Sequence, residues 1–287
     1  MEALRLVSTI NLSHEEWMYY RNNGITGSRI AAIMGESPFD TPLSVYLEMT
    51  GQAKSKEQTE AMYFGTVLED FIGWEFTNRT GLEIKKIEAI LQHPVYEIFL
   101  ANIDFQIVPE EEGILECKNI GEYGHSEWKK GAPRYYYLQG QWYLGVTGLS
   151  HVTFAAMIGG NKFVIHKYGR DEEVIEKMQE KANDFWYCNI VPQIPPDSIE
   201  GDLDSLKGMY PRHEEGEAIE LSEEESDLLG ELWTADVAIR DAEKKIELAK
   251  IKMQERMKTA ESAWYNGELV CTWKADVNGK KTFKIKR

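Results

Sequence analysis

Between His14 and Ile190 the apolar positions switch repeatedly between a helical and a strand period. Helix-spaced apolar residues predict helices near 14–21, 27–34, 41–50, 58–80, 134–146 and 171–190. β-rich apolar runs predict strands over 96–118 and 151–168. In the long helix of 58–80, Met62, Val67, Phe71, Trp74 and Phe76 are expected to supply core contacts. Past residue 227 the pattern changes. Leu228, Leu232, Ala235, Ile239, Ala242, Ile246, Ala249 and Met253 recur in alternating steps of four and three, the seam of a coiled-coil-like helix. The final "LVCTWKADVNGKKTFKIKR" places Asn278-Gly279 between β-rich runs and predicts a tight hairpin. Between these regions lies a proline- and acid-rich stretch without a clean period, which reads as an extended connector. The chain therefore divides into 1–196, 197–227 and 228–287, with a mixed α/β (α+β) first part and a long helix plus β-hairpin last.

Composition narrows the class. With 287 residues, 43% of them hydrophobic, the chain can bury a sizeable core as one large domain or one domain plus an appendage. No basic region followed by an apolar stretch opens the sequence and no 18 apolar residues run together, so a soluble protein without membrane partners, acting in the cytoplasm, is expected. Cys117, Cys188 and Cys271 are scattered and odd in number, which fits free thiols. A net charge of -16 argues against contact with phosphates, but residues 197–231 hold thirteen acids against two bases and supply -11 of it. The remainder is close to balanced, which permits a basic cleft.

Within the strand run, "GILECK" puts Glu116 and Lys118 on one face, with Ile114, while Leu115 and Cys117 face the other way. An exposed ion pair worth about 0–1 kcal/mol would account for that spacing alone. Upstream, "YEIFLANIDFQIV" carries Asp104 in what reads as a buried strand, and the intervening "PEEEG" suggests a hairpin. Such pairing brings Asp104 close to Glu116, and two like charges held together call for a cation. Hard oxygen ligands select magnesium or manganese. Glu69 interrupts the apolar helix and could reach inward, whereas Asp70 reads as solvated. Gln139 and Gln141 lie in the aromatic helix "PRYYYLQGQWYLGVTG", either as satisfied core amides or as groups that position water or substrate.

Asp104, Glu116-x-Lys118, the preceding Glu69 and the following Tyr136-x-x-Gln139-x-Gln141 together resemble the PD-(D/E)xK nuclease core. With "NNGITGSRIAAIMGESPFDTPLSVYLEMTG", the chain is more narrowly similar to the YqaJ viral recombinase family, whose members are phage lambda exonuclease-like. The match spans about residues 14–195. It implies a restriction-endonuclease-like core, a central mixed sheet flanked by helices. By the same resemblance Asp104 and Glu116 hold metal with the main-chain carbonyl of Cys117, and Glu69 supports the site. Lys118 acts on the attacking water, Gln139 lies near metal or water, and Arg21 and Ser28 contact the 5′-phosphate of a DNA end. Phe105 departs from the family's glycine, and no proline precedes Asp104.

The activity implied is an Mg²⁺-dependent exonuclease of phage or prophage recombination, with Mn²⁺ as a substitute metal. It would digest linear double-stranded DNA 5′ to 3′ and leave 3′ single-stranded overhangs. Implied partners are double-stranded DNA ends, a single-strand annealing protein and further copies of the chain in a ring-shaped homo-oligomer such as a trimer. Two alternatives stay open: a related nuclease with single-strand or endonuclease activity, and a non-catalytic DNA-binding component of a recombination complex. The 228–253 seam and the basic hairpin of 271–287 are routes to assembly or DNA contact.

Overall fold

The apolar run of residues 99–120 does not form one strand pair but feeds two sheets. The structure, a computed structural model, describes residues 2–53, 59–108 and 112–286. The chain separates into two units, Met1–Arg212 and His213–Arg287. In the first, a five-stranded sheet has the order β3 (Glu83–Lys86), β6 (Phe105–Val108), β7 (Gly113–Ile120), β8 (His151–Ile158) and β9 (Lys162–Gly169). Its pairs are antiparallel except β7 with β8. A parallel pair needs a long crossover, and here it runs through α5 (His125–Trp128) and α6 (Arg134–Thr147). A second sheet has the order β1 (Leu4–Ser8), β4 (Ala89–Gln92), β5 (Phe99–Ala101) and β2 (Ile25–Thr26).

Strand alternation gives β7 two cores. Ile114 joins the larger one, with α2 (Gly27–Ile33), α3 (Pro42–Met49), α6 and α7 (Glu172–Phe185). Leu115 joins the smaller one, with Ile72 and Phe76 of α4 (Glu60–Thr80). Glu116 therefore projects toward α6, as the face argument requires. That helix lies on the sheet at Gly140, where an added Cβ would meet side-chain carbons of Phe154 and Val152 at 2.8 Å. Gln141 is wholly buried and ties α6 to the next segment, donating to the Gly169 carbonyl and accepting from the Asp171 amide, both at 2.8 Å. It is thus a satisfied core amide.

The helices α1 (His14–Asn22) to α4, α6 and α7 fall where their periodicity predicts them, and α7 runs on into a π-helical turn, Trp186–Ile190. Three expectations change. Asp104 is not within a strand but in the bend between β5 and β6, where the chain leaves one sheet for the other. In α4 only Phe76 of the five expected core residues is buried, while Met62, Val67, Phe71 and Trp74 are exposed. That helix is apolar on several faces, and one narrow stripe, Ile72–Gly73–Phe76, meets the sheet. The acidic stretch is not extended throughout. Asp202 is buried and accepts hydrogen bonds from the Thr41 hydroxyl and, at 2.7 Å, from the Ile199 amide. After it, α8 (Leu203–Met209) packs Leu206 and Met209 on the larger core. Strands β1, β3 and β4, of five, four and four residues, are too short to show a period. The acidic turn expected at 109–112 lies mostly outside the described residues.

The second unit holds α9 (Glu223–Met257), opened by a Ser222/Glu225 capping box, and the antiparallel meander β10 (Ser262–Tyr265), β11 (Glu268–Ala275) and β12 (Lys281–Ile285). The predicted hairpin joins β11 to β12 through residues 276–280, with Gly279 at a φ of +80°. Among the described residues no helix is long and apolar enough to cross a membrane.

The contact at Gly140 yields a test of the α6–sheet packing. Gly140→Ala should lower unfolding free energy by about 1–3 kcal/mol in urea titration, although alanine favours a helix by roughly 1 kcal/mol. A gain in stability would show that α6 does not sit against β8 as described.

Candidate active site

Strand β7 and helix α6 meet in a crease that buries a carboxylate. Glu116 is 3% exposed. Its Oε1 accepts from Lys118 Nζ at 2.8 Å and from Gln139 Nε2 at 2.9 Å, while its Oε2 is buried without a hydrogen-bond partner. Gln139 ties these groups together: its Oε1 accepts from Lys118 at 3.2 Å and its Nε2 also donates to the Tyr143 hydroxyl at 2.9 Å. Lys118 lies over the Tyr136 ring at 4.7 Å. Glu116 and Lys118 are alternate residues on the strand, and Tyr136 and Tyr143 stand three before and four after Gln139 on the helix, so each set shares a face and the packing of α6 on β7 brings the two faces together.

Asp104 approaches from the bend between the sheets. Its Oδ2 accepts from the main-chain N–H of Cys117 at 2.8 Å, which fixes the carboxyl beside β7. Burial, and then the Glu116 carboxylate, push the Asp104 pKa up to about 8. Glu116 is raised as well, by burial, against the pull of Lys118. Burial opposes the charge of Lys118, but Glu116 and Asp104 outweigh it and hold the ammonium above its ordinary pKa. Glu69, on α4, is pushed up to about 7 by burial and by Asp104, with Lys86 3.5 Å from its Oε1 pulling the other way. Asp70 is exposed and pairs with the same lysine. Cys117 contributes only its main chain, for its side chain packs with the smaller core and burial raises its thiol pKa. Phe105 also packs into that core, with Lys86 Nζ 5.6 Å from its ring.

Arg21 and Ser28 reach the same cleft, a 220 Å³ depression whose wall includes Asp104, Glu116 and Gln139. Arg21 Nη2 donates to Ser28 Oγ at 3.0 Å, and its Nε is buried without a partner. Four residues that the sequence reading does not single out line the cleft as well: Trp17 under the Arg21 guanidinium at 5.0 Å, Thr26 with its hydroxyl 3.1 Å from Ser28 Oγ, Asn102, and Tyr143. Trp17 stands four residues before Arg21 and Tyr143 four after Gln139, a helical spacing that could have pointed to both. Arg29 is a further surprise, a fully buried guanidinium donating to the Arg21 carbonyl at 2.8 Å, to Glu48 at 2.6 Å and to Asn22. It fixes the end of α1 from which Arg21 projects. The cleft wall thus combines a carboxylate pair and a guanidinium, with the Lys118 ammonium bonded to Glu116 and Gln139 of that wall, groups suited to bind a cation and a phosphate side by side.

Residues 16–150 match the family described as the YqaJ-like viral recombinase domain. The Bacillus subtilis (strain 168) protein described as "Uncharacterized protein YqaJ" is 34% identical over 98% of this chain and 90% of its own length. The crystal structure of the alkaline exonuclease LHK-Exo from Laribacter hongkongensis superposes with a TM-score of 0.53 at 24% identity, covering 63% of this chain and 94% of that one. The structure of LHK-Exo in complex with dAMP gives the same TM-score at 22% identity, over 67% of this chain and 96% of that one. The likeness shows that the chain shares the fold of these LHK-Exo structures, and its second unit adds a long helix and a three-stranded meander. With a relative matched along nearly its full length, the chain belongs to the YqaJ-like viral recombinase family.

Proposed function

We propose that the chain is a metal-dependent deoxyribonuclease that degrades one strand of linear duplex DNA from its 5′ end, leaving a 3′ overhang for a single-strand annealing partner in phage or prophage recombination. The observation that carries this reading is the unpartnered buried Oε2 of Glu116 on the same cleft as Asp104. A buried carboxylate oxygen without a donor is costly, and a divalent cation removes that cost. The residues fit Mg²⁺ or Mn²⁺. Among the described residues no three His, Cys, Asp or Glu side chains are grouped closely enough to cage an ion. Two carboxylates and the Cys117 carbonyl suit a metal that keeps waters and takes phosphate oxygens for its remaining positions.

A bound divalent ion supplies a nucleophilic water at neutral pH and neutralises charge on the phosphate. The chain's own groups then have distinct tasks. Lys118, kept protonated by its acidic neighbours, orients the attacking water by hydrogen bonding and offsets phosphate charge; it does not accept the water's proton. Gln139 holds Glu116 and Lys118 in register, and Glu69 adds negative charge behind Asp104. Arg21 and Ser28 grip a terminal 5′-phosphate, which sets the end and the direction of digestion. By family likeness the copies assemble into a ring around duplex DNA in the host cytoplasm. The deciding experiment is a time course on 5′-phosphorylated, end-labelled linear duplex with Mg²⁺, beside Ca²⁺ and EDTA, with closed circles as control. Loss of label from the 5′ end only with Mg²⁺ supports the proposal; cutting of circles turns it toward an endonuclease.

Asp104→Asn and Glu116→Gln should each cut Mg²⁺-dependent cleavage to below a few per cent of the parent rate, since each removes a ligand. The Asp104 carboxyl, with a pKa moved from 3.8 to about 8 without metal, favours the folded state while protonated. That contribution is full below pH 3.8 and is lost as pH rises through about 8. Asp104→Asn cannot ionise, so in EDTA its unfolding midpoint should exceed the parent's at pH 8.5 and differ far less at pH 4. An equal or lower midpoint at pH 8.5 contradicts the placement of that carboxyl.

Lys118→Ala should lower turnover by orders of magnitude with little change in DNA affinity, because its contact gains strength in the transition state. Equal losses in rate and binding would make it a phosphate anchor instead.

Arg21→Ala should slow digestion of 5′-phosphorylated ends much more than of 5′-hydroxyl ends, narrowing the gap between the two substrates. If both slow alike, the pocket does not read the end.

A further inference from the structure

Helix α9 carries an apolar seam along about 50 Å with nothing over it in the second unit except at its C-terminal end. Leu232 is 71% and Ile239 58% exposed. In heptad terms the large residues Leu232, Ile239, Ile246 and Met253 occupy one seam position, and Leu228, Ala235, Ala242 and Ala249 the other. Large residues thus alternate with mostly alanine. Two such helices running the same way would stack alanine on alanine and leave gaps. Running opposite ways, each large residue faces a small one: Leu232 meets Ala249, Ile239 meets Ala242, Ile246 meets Ala235, and only Met253 with Leu228 pairs two large ones. Alanine at every other layer also lets the axes approach closely.

Charge selects the same arrangement. The first half of the helix, 223–239, holds six acids and no base, whereas 240–257 holds six bases and four acids. In a parallel pair the flanking positions would set Glu231 against Asp236 and Lys245 against Lys250, two repulsive contacts per side. In the antiparallel pair Glu231 faces Lys252. The one kind of like-charge contact, Asp236 with Glu243 and its symmetry copy, is relieved by Arg240, whose Nη2 lies 2.7 Å from Asp236. Near the C-terminal end the seam opens into an apolar groove of 310 Å³ between α9 and the meander, walled by Ile246, Met253, Val270, Phe283 and Ile285. That is where the antiparallel register delivers Leu228.

From this we infer that the second unit pairs with a second copy of itself through an antiparallel two-helix contact along α9, the Leu228 end of each helix filling the groove of the other. The pairing is isologous and closed, so it gives twos, independent of any ring made by the first unit. The inference does not rest on the nuclease assignment.

The test uses the full chain with Cys188, the exposed cysteine, replaced by serine. Residues 232 and 249 are about 26 Å apart on one helix and cannot bridge within a copy. Under mild oxidation, an equimolar mixture of Leu232→Cys and Ala249→Cys proteins should form the mixed covalent dimer, and neither variant alone should cross-link. Adding Ile239→Asp to both should abolish the cross-link, and in the parent this substitution should halve the solution mass by light scattering, with far-ultraviolet helicity retained as the check on folding. Self-cross-linking of either single-cysteine variant indicates a parallel pair and overturns the inference. Absence of the mixed dimer overturns it too, and the seam is then covered within the chain or by another protein. Nuclease rates of the same samples report separately on the catalytic proposal.

Discussion

The site depends on one shared oxygen. Glu116 Oε1 receives both the Lys118 ammonium and the Gln139 amide, so a strand and a helix from different parts of the chain are joined at a buried charge. Taking that carboxylate out of water costs several kcal/mol unless its neighbours compensate, and here they do so on one oxygen only. The other oxygen has no donor. Burial thereby fixes one side of the carboxylate and leaves the other side uncommitted. The tyrosines Tyr136 and Tyr143 complete the enclosure, one under the ammonium and one holding the amide.

A second dependence lies behind the Arg21 side of the cleft. Arg21 is presented by α1, and the end of α1 is held by Arg29, itself buried and tied to Glu48 of α3. Two guanidiniums close together repel, and the Arg29 pKa is lowered by burial first and by Arg21 next. Glu48 offsets part of that cost. The cationic wall of the cleft is therefore as preorganised as the anionic one, and the two are built from separate parts of the chain.

Much of this was legible in the sequence for a physical reason: α6, α7 and the β6–β7 hairpin have strong periods, and a strand that carries Glu-x-Lys must show both on one face. The common face of Glu116 and Lys118 follows from the strand period, whereas Gln139 reaches them only because α6 packs on β7, which the family resemblance and not the period implied. Other parts were not legible. Asp104 looked like a strand residue because the apolar run on either side is continuous, and nothing local marks the change of sheet between Ala101 and Phe105. Arg29 sits in a small-residue helix whose burial only tertiary packing decides. The exposed faces of α4 show the reverse limit, since an apolar period says that a face seeks cover but not what covers it.

The clasp between Asp202 and Thr41 bears on where such a protein can be taken apart. A division made where composition changes, near residue 196, would strip the Thr41 hydroxyl of its buried acceptor and uncover the part of the larger core beneath α8. The amide of Ile199 and the helix that follows Asp202 belong to the same closure. In modular terms the seam between the two units lies after Arg212, so domain exchange among relatives would have to carry the first half of the acidic stretch along with the first unit.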